Sequence, residues 1–297
     1  MDSDSPDWSL YRSFLSVLRT GSLSAAARDG GLTQPTVGRH IDTVEKALGV
    51  ALFTRSQQGL APTEAALELQ PYAESLEATA AALVRAAVGR AGTHGTVRIT
   101  ASEVVGGEVL PPILTQLNAE HPQVTLELVL SNRTEDLLQR EADIAVRMVR
   151  PTQQALAARY VGNIELGLHA RREYLERRGV PATIAELRRH ALIGFDHENS
   201  FIRSVRARGF PVERSMFALR SDSDLAQLAA LRAGFGIGVC QVGLARRSPE
   251  LVRVMAESFS FNLEVWIVMH SDLRTSARCR VVADALAAGL GAYCAQS

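Results

Sequence analysis

At 297 residues and 32.1 kDa the chain is long enough for about two domains and at least one sizeable core. It is 46% hydrophobic and 22% charged with a formal net charge of zero, a balance that excludes disordered and membrane-embedded classes and leaves whole-chain charge silent about nucleic acid. The opening "MDSDSPDWSLYRSFL" lacks the basic and apolar regions of a signal peptide, and no window approaches the roughly 20 apolar residues of a membrane span.

Cys240, Cys279 and Cys294 show no CxxC or Cys/His spacing, so they read as reduced thiols of a cytoplasmic protein, with no metal and no cofactor expected.

In chain order, residues 8 to about 50 read as short helices. Leu10, Phe14, Leu15 and Leu18 form one stripe that stops at Gly21. Ser22 is a candidate N-cap for a second helix, whose Ala25, Ala26 and Ala27 permit close approach of a neighbour and which ends at Gly30-Gly31. Thr33 caps a third helix, with Pro35 tolerated in the first turn because N–H groups there lack intrahelical partners. Two short extended pieces around a polar turn follow Gly49, giving the order of an all-α winged helix-turn-helix.

From Glu64 to about Arg90 the pattern is one long helix of about 40 Å, with Leu69, Tyr72, Leu76, Thr79, Leu83 and Ala86 at coiled-coil spacing. Such a helix reads as a linker that pairs with its copy in another subunit. Pro71 is expected to kink it or to mark where its regular part begins. "GRAGTHG" (89–95) reads as the boundary, giving 1–62 as a compact helical domain, 63–93 as linker and 94–297 as a second, larger domain.

Beyond it, "TVRITA", "VTLELVL", "DIAVRM", "IELGLHA", "HALIGF", "FGIGVCQV" and "LEVWIVMH" read as strands. They alternate with helical segments such as "LPPILTQLNAEHP", "TEDLLQRE", "TIAELRRH" and "SDLAQLAALRAG". This is α/β architecture with a mostly parallel sheet, in two subdomains around a cleft.

The third helix carries the most information. Val37, Ile41, Val44 and Leu48 form a stripe to be buried, while Thr36, Arg39, His40, Thr43 and Lys46 form a contiguous polar arc opposite. Such donors suit phosphates and base edges, and a helix fits the major groove. Asp42 sits one turn before Lys46, at a spacing that allows an ion pair. From Trp8 to Pro62 six basic residues (Arg12, Arg19, Arg28, Arg39, Lys46, Arg55) oppose three acidic ones (Asp29, Asp42, Glu45). A surplus of three is modest for DNA binding. Periodicity and charge thus leave a solvated helix and a DNA-reading helix both open.

"FLSVLRTGSLSAAARDGGLTQPTVGRHIDTVEKALGVALFTR" closely resembles the DNA-binding domain of LysR-type transcriptional regulators. The matching features are Thr20-Gly21-Ser22, Ala25 to Ala27, Thr33-Gln34-Pro35, Val37, Arg39, Ile41, Glu45, Leu48-Gly49 and Leu52 to Arg55, with "LAPTEA" opening the linker. The resemblance implies that Ser22, Thr33, Gln34, Pro35, Thr36, Arg39, His40 and Thr43 serve DNA contact, with Arg55 in the wing. Gly38 departs from the pattern where the family commonly has serine, and Ala65 replaces a frequent glycine.

The implied partners are double-stranded DNA with pseudo-palindromic half-sites roughly 34 Å apart, a small effector, further copies of the chain as a dimer of dimers (a homotetramer), and RNA polymerase. No membrane partner is expected.

The resemblance also implies a two-lobed effector domain like periplasmic solute-binding proteins. Candidate ligand groups stand at strand ends: Ser102, Asn132, Arg133, Thr134, Arg147, Ser221, Asp222 and Ser223. Helix N-termini favour anions and arginine adds a two-pronged carboxylate partner, so the expected ligand bears a carboxylate. Ser221, Ser223 and Thr134 read equally as plain helix caps, and Arg147 as a partner of Glu141 or Asp143.

"AGFGIGVCQ" leads into a strand rather than opening a helix, so its glycines read as structural and not as a phosphate loop. The rivals are an enzyme or a solute-binding module built on the α/β region, with the N-terminal part serving only oligomerisation. No GxSxG, HExxH or GxxxxGK[ST] motif is present, and the seven histidines lack metal-ligand spacing.

Overall fold

The computed structural model describes residues 7–56, 59–88, 93–132, 142–151 and 156–296, which part into two compact units at Ala87 and Val88. The first unit holds α1 (Trp8–Thr20), α2 (Leu23–Gly30), α3 (Gln34–Leu48), the antiparallel pair β1 (Phe53–Ser56) and β2 (Gly59–Pro62), and α4 (Glu64–Val88). Asp7, Ser22 and Thr33 cap the first three helices by accepting from the N–H groups of Ser9, Ala25 and Thr36. Each of these helices stops at a left-handed glycine: Gly21, Gly31 and Gly49.

The core of this unit is Phe14, Leu15, Val17, Ala26, Ala27, Val37, Ile41, Val44 and Leu52, joined by Ala66 and Ala73 of α4. Leu48 departs from the expected buried stripe and is 38% exposed. It ends α3 and, with Tyr11, Val44, Leu69, Tyr72 and Leu76, lines an apolar groove rather than the core.

Helix α4 runs unbroken through Pro71 and begins seven residues before it, so Pro71 does not mark its start. Of the expected seam, Leu69 is half-buried, while Tyr72, Leu76 and Leu83 are exposed. Arg19 of α1 holds Glu77 of α4 by a two-pronged ion pair at 2.6 and 3.3 Å.

The second unit is built on one sheet of β3 (Gly95–Ala101), β4 (Val124–Leu130), β5 (Ile144–Arg147), β6 (Leu156–Arg171), β7 (Leu192–Gly194), β8 (Phe217–Arg220), β9 (Ile237–Gln241), β10 (Leu251–Val254) and β11 (Ser260–His270). The helices are α5 (Leu110–Glu120), α6 (Arg172–Arg178), α7 (Ile184–Leu187), α8 (Ser200–Ala207), α9 (Asp224–Arg232), α10 (Val242–Ala245) and α11 (Ala277–Cys294), and Val105–Val109 forms a π-helical turn ahead of α5.

The strand order is β4-β3-β5-β11-β6-β9-β7-β8, with β10 also on β6. The ends of the sheet are parallel as expected, β3 with β4 and β5, and β7 with β8 and β9. Its centre is antiparallel, correcting the mostly parallel reading. The reason is the length of β6 and β11, 16 and 11 residues, which run from one lobe into the other. Residues 156–163 of β6 pair only with β11, beside β5, whereas its later residues also take up β9 and β10. A register shift between Val265 and Trp266 marks the crossing. Lobe 1 therefore carries β3–β5 and lobe 2 carries β7–β10.

Candidate nucleic-acid interface and effector region

On α3 the buried stripe turns Gln34, Pro35, Arg39, Thr43 and Lys46 outward. Among the described residues, the side chains of Gln34, Arg39 and Lys46 have no hydrogen-bond or ion-pair partner, and Asp42 does not pair with Lys46. The hydroxyls are engaged within the helix. Thr33 and Thr36 share a hydrogen bond of 2.8 Å, and Thr43 donates to the carbonyl of Arg39 at 2.7 Å. Each keeps acceptor capacity for a further donor. Ser22 serves as the α2 cap and its main-chain carbonyl receives the Thr20 hydroxyl.

His40 differs from the rest of the arc. It is half-buried, and its Nδ1 shares a 2.7 Å hydrogen bond with the hydroxyl of Ser13, itself 5% exposed on α1. This ring therefore fastens the outer helix to the core.

Arg55 lies on β1 opposite Leu60, in the wing as expected, and its side chain lies outside the described part of the molecule. The sequence reading missed the role of Glu45. Its carboxylate accepts from the backbone N–H groups of Leu52 (2.6 Å) and Phe53 (3.2 Å), tying α3 to the start of the wing.

In lobe 1, register brings three predicted positions to one edge of the sheet. Ala101 is the partner of both Leu130 and Val146, so Ser102 and Arg147 stand in one row with Ser131 at the carboxyl ends of β3, β5 and β4, and Asn132 follows one residue on, its Oδ1 accepting from Glu103 N–H. That edge is where open α/β sheets take ligands. Trp266 and Tyr160 continue the row, Trp266 pairing with Arg147 on one side and Tyr160 on the other. Their rings lie 5.3 Å apart and the Arg150 guanidinium stands 5.5 Å from the indole. Periodicity gave no reason to select these three.

Ser102 is half-buried, and among the described residues its hydroxyl makes no hydrogen bond. Arg147 is 5% exposed and donates to the Thr100 hydroxyl at 3.2 Å, so it braces lobe 1 from inside. Arg133 and Thr134, with the predicted helix over 134–141, lie outside the described residues.

In lobe 2, the loops after β7 and β8 are joined. Ser221 N–H donates to the Gly194 carbonyl at 2.9 Å. Asp222 accepts from the N–H groups of Asp196 and His197 at 3.0 Å each and from His197 Nδ1 at 2.6 Å. The His197 N–H chiefly holds the Asp222 carboxyl below its usual range, and Asp222 in turn raises His197. Arg214 holds Asp196, so this exposed cluster is paired internally. Ser221 accepts from Ser223 N–H, and Ser223 caps α9.

The N-terminus of α9 is already occupied. Glu103, next to Ser102, reaches across the lobes and accepts from the Ser223 hydroxyl (2.8 Å) and Leu225 N–H (3.2 Å). With Arg147 buried and this helix end holding an internal carboxylate, both supports for a carboxylate ligand are engaged within the protein. No local signal in the sequence tells that Glu103 meets residues 120 positions later.

A winged helix-turn-helix unit followed by a two-lobed α/β unit defines a DNA-binding regulator with an effector-binding domain. Residues 8–67 match the model of the bacterial regulatory helix-turn-helix proteins of the lysR family, and residues 90–291 match the LysR substrate binding domain. The chain belongs to the LysR family of transcriptional regulators, whose members are not enzymes.

It is 32% identical to an HTH-type transcriptional regulator of Xanthomonas campestris over 69% of this chain and 62% of that one. It is 28% identical to the regulator CrgA of Neisseria meningitidis serogroup C over 94% and 95% of the two chains. The fold is shared with the structure of CrgA from Neisseria meningitidis (TM-score 0.60, 24% identity, 95% and 98% covered). It is shared also with full-length CbnR complexed with its target DNA (TM-score 0.65, 18% identity, 95% and 99% covered). Among the described residues no helix is long and apolar enough to cross a membrane.

Proposed function

We propose that this regulator reads a pseudo-palindromic operator with α3, in the cytoplasm, as a dimer or dimer of dimers joined through α4. In this reading residues 1–62 bind DNA, 63–93 pair the subunits and 94–297 sense the effector. The observation that carries it is the outward face of α3, where Gln34, Arg39 and Lys46 stand exposed on a helix whose opposite face is buried. Arg39 serves a base edge or phosphate, and Thr33, Thr36 and Thr43 add acceptors along the groove. The exposed Tyr72, Leu76 and Leu83 of α4 support pairing of subunits.

A small effector would lie beside Ser102 and Asn132, facing the Ser221–Ser223 turn. A carboxylate-bearing effector would replace Glu103 on Ser223 and Leu225 N–H. The effector then alters the spacing of the bound half-sites, and with it access for RNA polymerase.

Arg39→Ala is expected to weaken binding to DNA from upstream of the protein's own gene at least tenfold, with an unchanged melting temperature and a shallower salt dependence. A salt-controlled titration showing equal affinity for both proteins would remove Arg39 from the interface.

A further inference from the structure

The stretch from Glu103 through the π-helical turn meets α9 at both of its ends. At the C-terminal end Arg232 makes a two-pronged ion pair with Glu108, at 2.7 and 2.8 Å, and Arg247 donates to the Glu108 carbonyl at 3.2 Å. Charge is matched there, and Arg232 holds the Glu108 carboxyl below its usual range.

The N-terminal end is built differently. Glu103 Oε2 accepts from Ser223 Oγ and Leu225 N–H, while Asn132 Nδ2 donates to Asp224 Oδ2 at 3.0 Å and its Oδ1 accepts from Glu103 N–H at 3.1 Å. One amide thus joins the main chain at Glu103 to the Asp224 carboxylate, and among the described residues no basic side chain pairs with the carboxylate of Glu103 or of Asp224. Ionised together, Glu103 and Asp224, both partly buried, repel each other at the end of α9.

We propose that Glu103, Asn132 and Asp224 form an interlobe latch that tightens when the Asp224 carboxyl holds a proton and loosens when it releases it. The lobe arrangement of this regulator then responds to pH, an inference that rests on the two-lobed regulatory reading of the second unit.

Burial, and then the Glu103 charge, push Asp224 up to about 6. A neutral Asp224 still accepts from Asn132 and no longer opposes Glu103, which keeps its charge for the α9 N–H groups. The other titrating groups near this end are Asp222, two residues earlier, and His197 of the loop after β7, which pairs with it. Arg232, Glu108 and Arg247 gather at the far end of α9.

Opening the latch returns Asp224 to the ordinary carboxylate range. Linkage then makes opening about tenfold more frequent at pH 7.5 than at pH 5. Hydrogen exchange of the full-length protein, read at the peptide covering α9 and corrected for intrinsic rates, measures this at the Leu225 amide.

The wild type should show the rise of about tenfold with a midpoint near pH 6. Asp224→Asn should hold the low-pH protection at every pH. Glu103→Gln, which removes the like charge and a strong acceptor, should lower protection and move the midpoint towards the ordinary carboxylate range. His197→Gln should follow the wild type. A flat wild-type profile, an unchanged profile in Asp224→Asn, or loss of the response in His197→Gln would each overturn the latch. Where Asp224→Asn fails to fold, the midpoint shift in Glu103→Gln decides alone. An operator titration on the same preparations reports on DNA binding separately, so failure of either reading is seen without the other.

Discussion

Gly38 sits in the middle of α3, and nothing around it requires a glycine. A Cβ placed there would have Leu23 Cδ1 as its nearest neighbour, at an ordinary 3.9 Å. Gly38→Ala should therefore stabilise the protein by about 1 kcal/mol, the usual helix-interior difference, as a higher denaturant midpoint. Gly38→Ser adds a hydroxyl on the same unobstructed path, and its operator affinity measured against Gly38→Ala isolates what that hydroxyl contributes. Gly236 is the opposite case. A Cβ there would fall 1.9 Å from the Ala191 carbonyl oxygen, where β9 closes on the residue before β7 and Ile237 N–H donates to that same oxygen at 2.9 Å. Gly236→Ala must separate these backbones, at a cost of about 3 kcal/mol. The glycine-rich stretch is thus a packing device, as its lead into a strand indicated.

At the level of elements, the first unit was legible because each helix carries its own boundary chemistry, a side-chain cap at one end and a left-handed glycine at the other. Strands with a run of β-branched residues, such as β3, β4 and β11, were legible for a similar local reason. β8 and β10, four residues each, were not, because their identity comes from neighbours: β8 from β7 and β10 from the far half of β6. The site divides in the same way. Arg39 and Lys46 follow from one helical period, whereas the seat of Glu103, the burial of Arg147 and the His40–Ser13 bond depend on partners distant in sequence. Glu45 shows what such a contact does for an element. Glu45→Ala leaves the Leu52 and Phe53 N–H groups without their acceptor, and should cost about 1–3 kcal/mol in denaturant unfolding. Operator affinity should fall as well, because the wing loses its tie to α3. Unchanged affinity together with lowered stability would separate the wing from recognition.

Across the whole molecule, two titrating groups in the second unit, one half-buried and one fully buried, set opposite responses to acid. Asp224, raised to about 6, adds a penalty as pH climbs from the ordinary carboxylate range towards 6, so acid favours its closed position. His169, on β6, is 2% exposed, with Nδ1 3.0 Å from the Gly167 carbonyl oxygen. Burial lowers it to about 4; the Arg253 charge adds to that, and the hydrogen bond to Gly167 opposes it. The folded value lies below the unfolded 6.5, so the folded state holds the neutral ring while the unfolded chain binds a proton. Stability from this group is complete above pH 6.5 and is lost as pH falls towards 4, by about 3 kcal/mol at most. Lobe 2 should thus weaken in the range where the interlobe contact tightens. His169→Gln keeps a hydrogen-bonding side chain and removes the titration. Chemical unfolding between pH 7 and 4.5 should then fall off by close to one proton's worth less per pH unit, about 1.4 kcal/mol, than in the wild type. Parallel profiles for the two proteins would move the acid sensitivity to another group. A profile flattened by His169→Gln but untouched by Asp224→Asn would show that the lobe 2 core and the latch titrate independently.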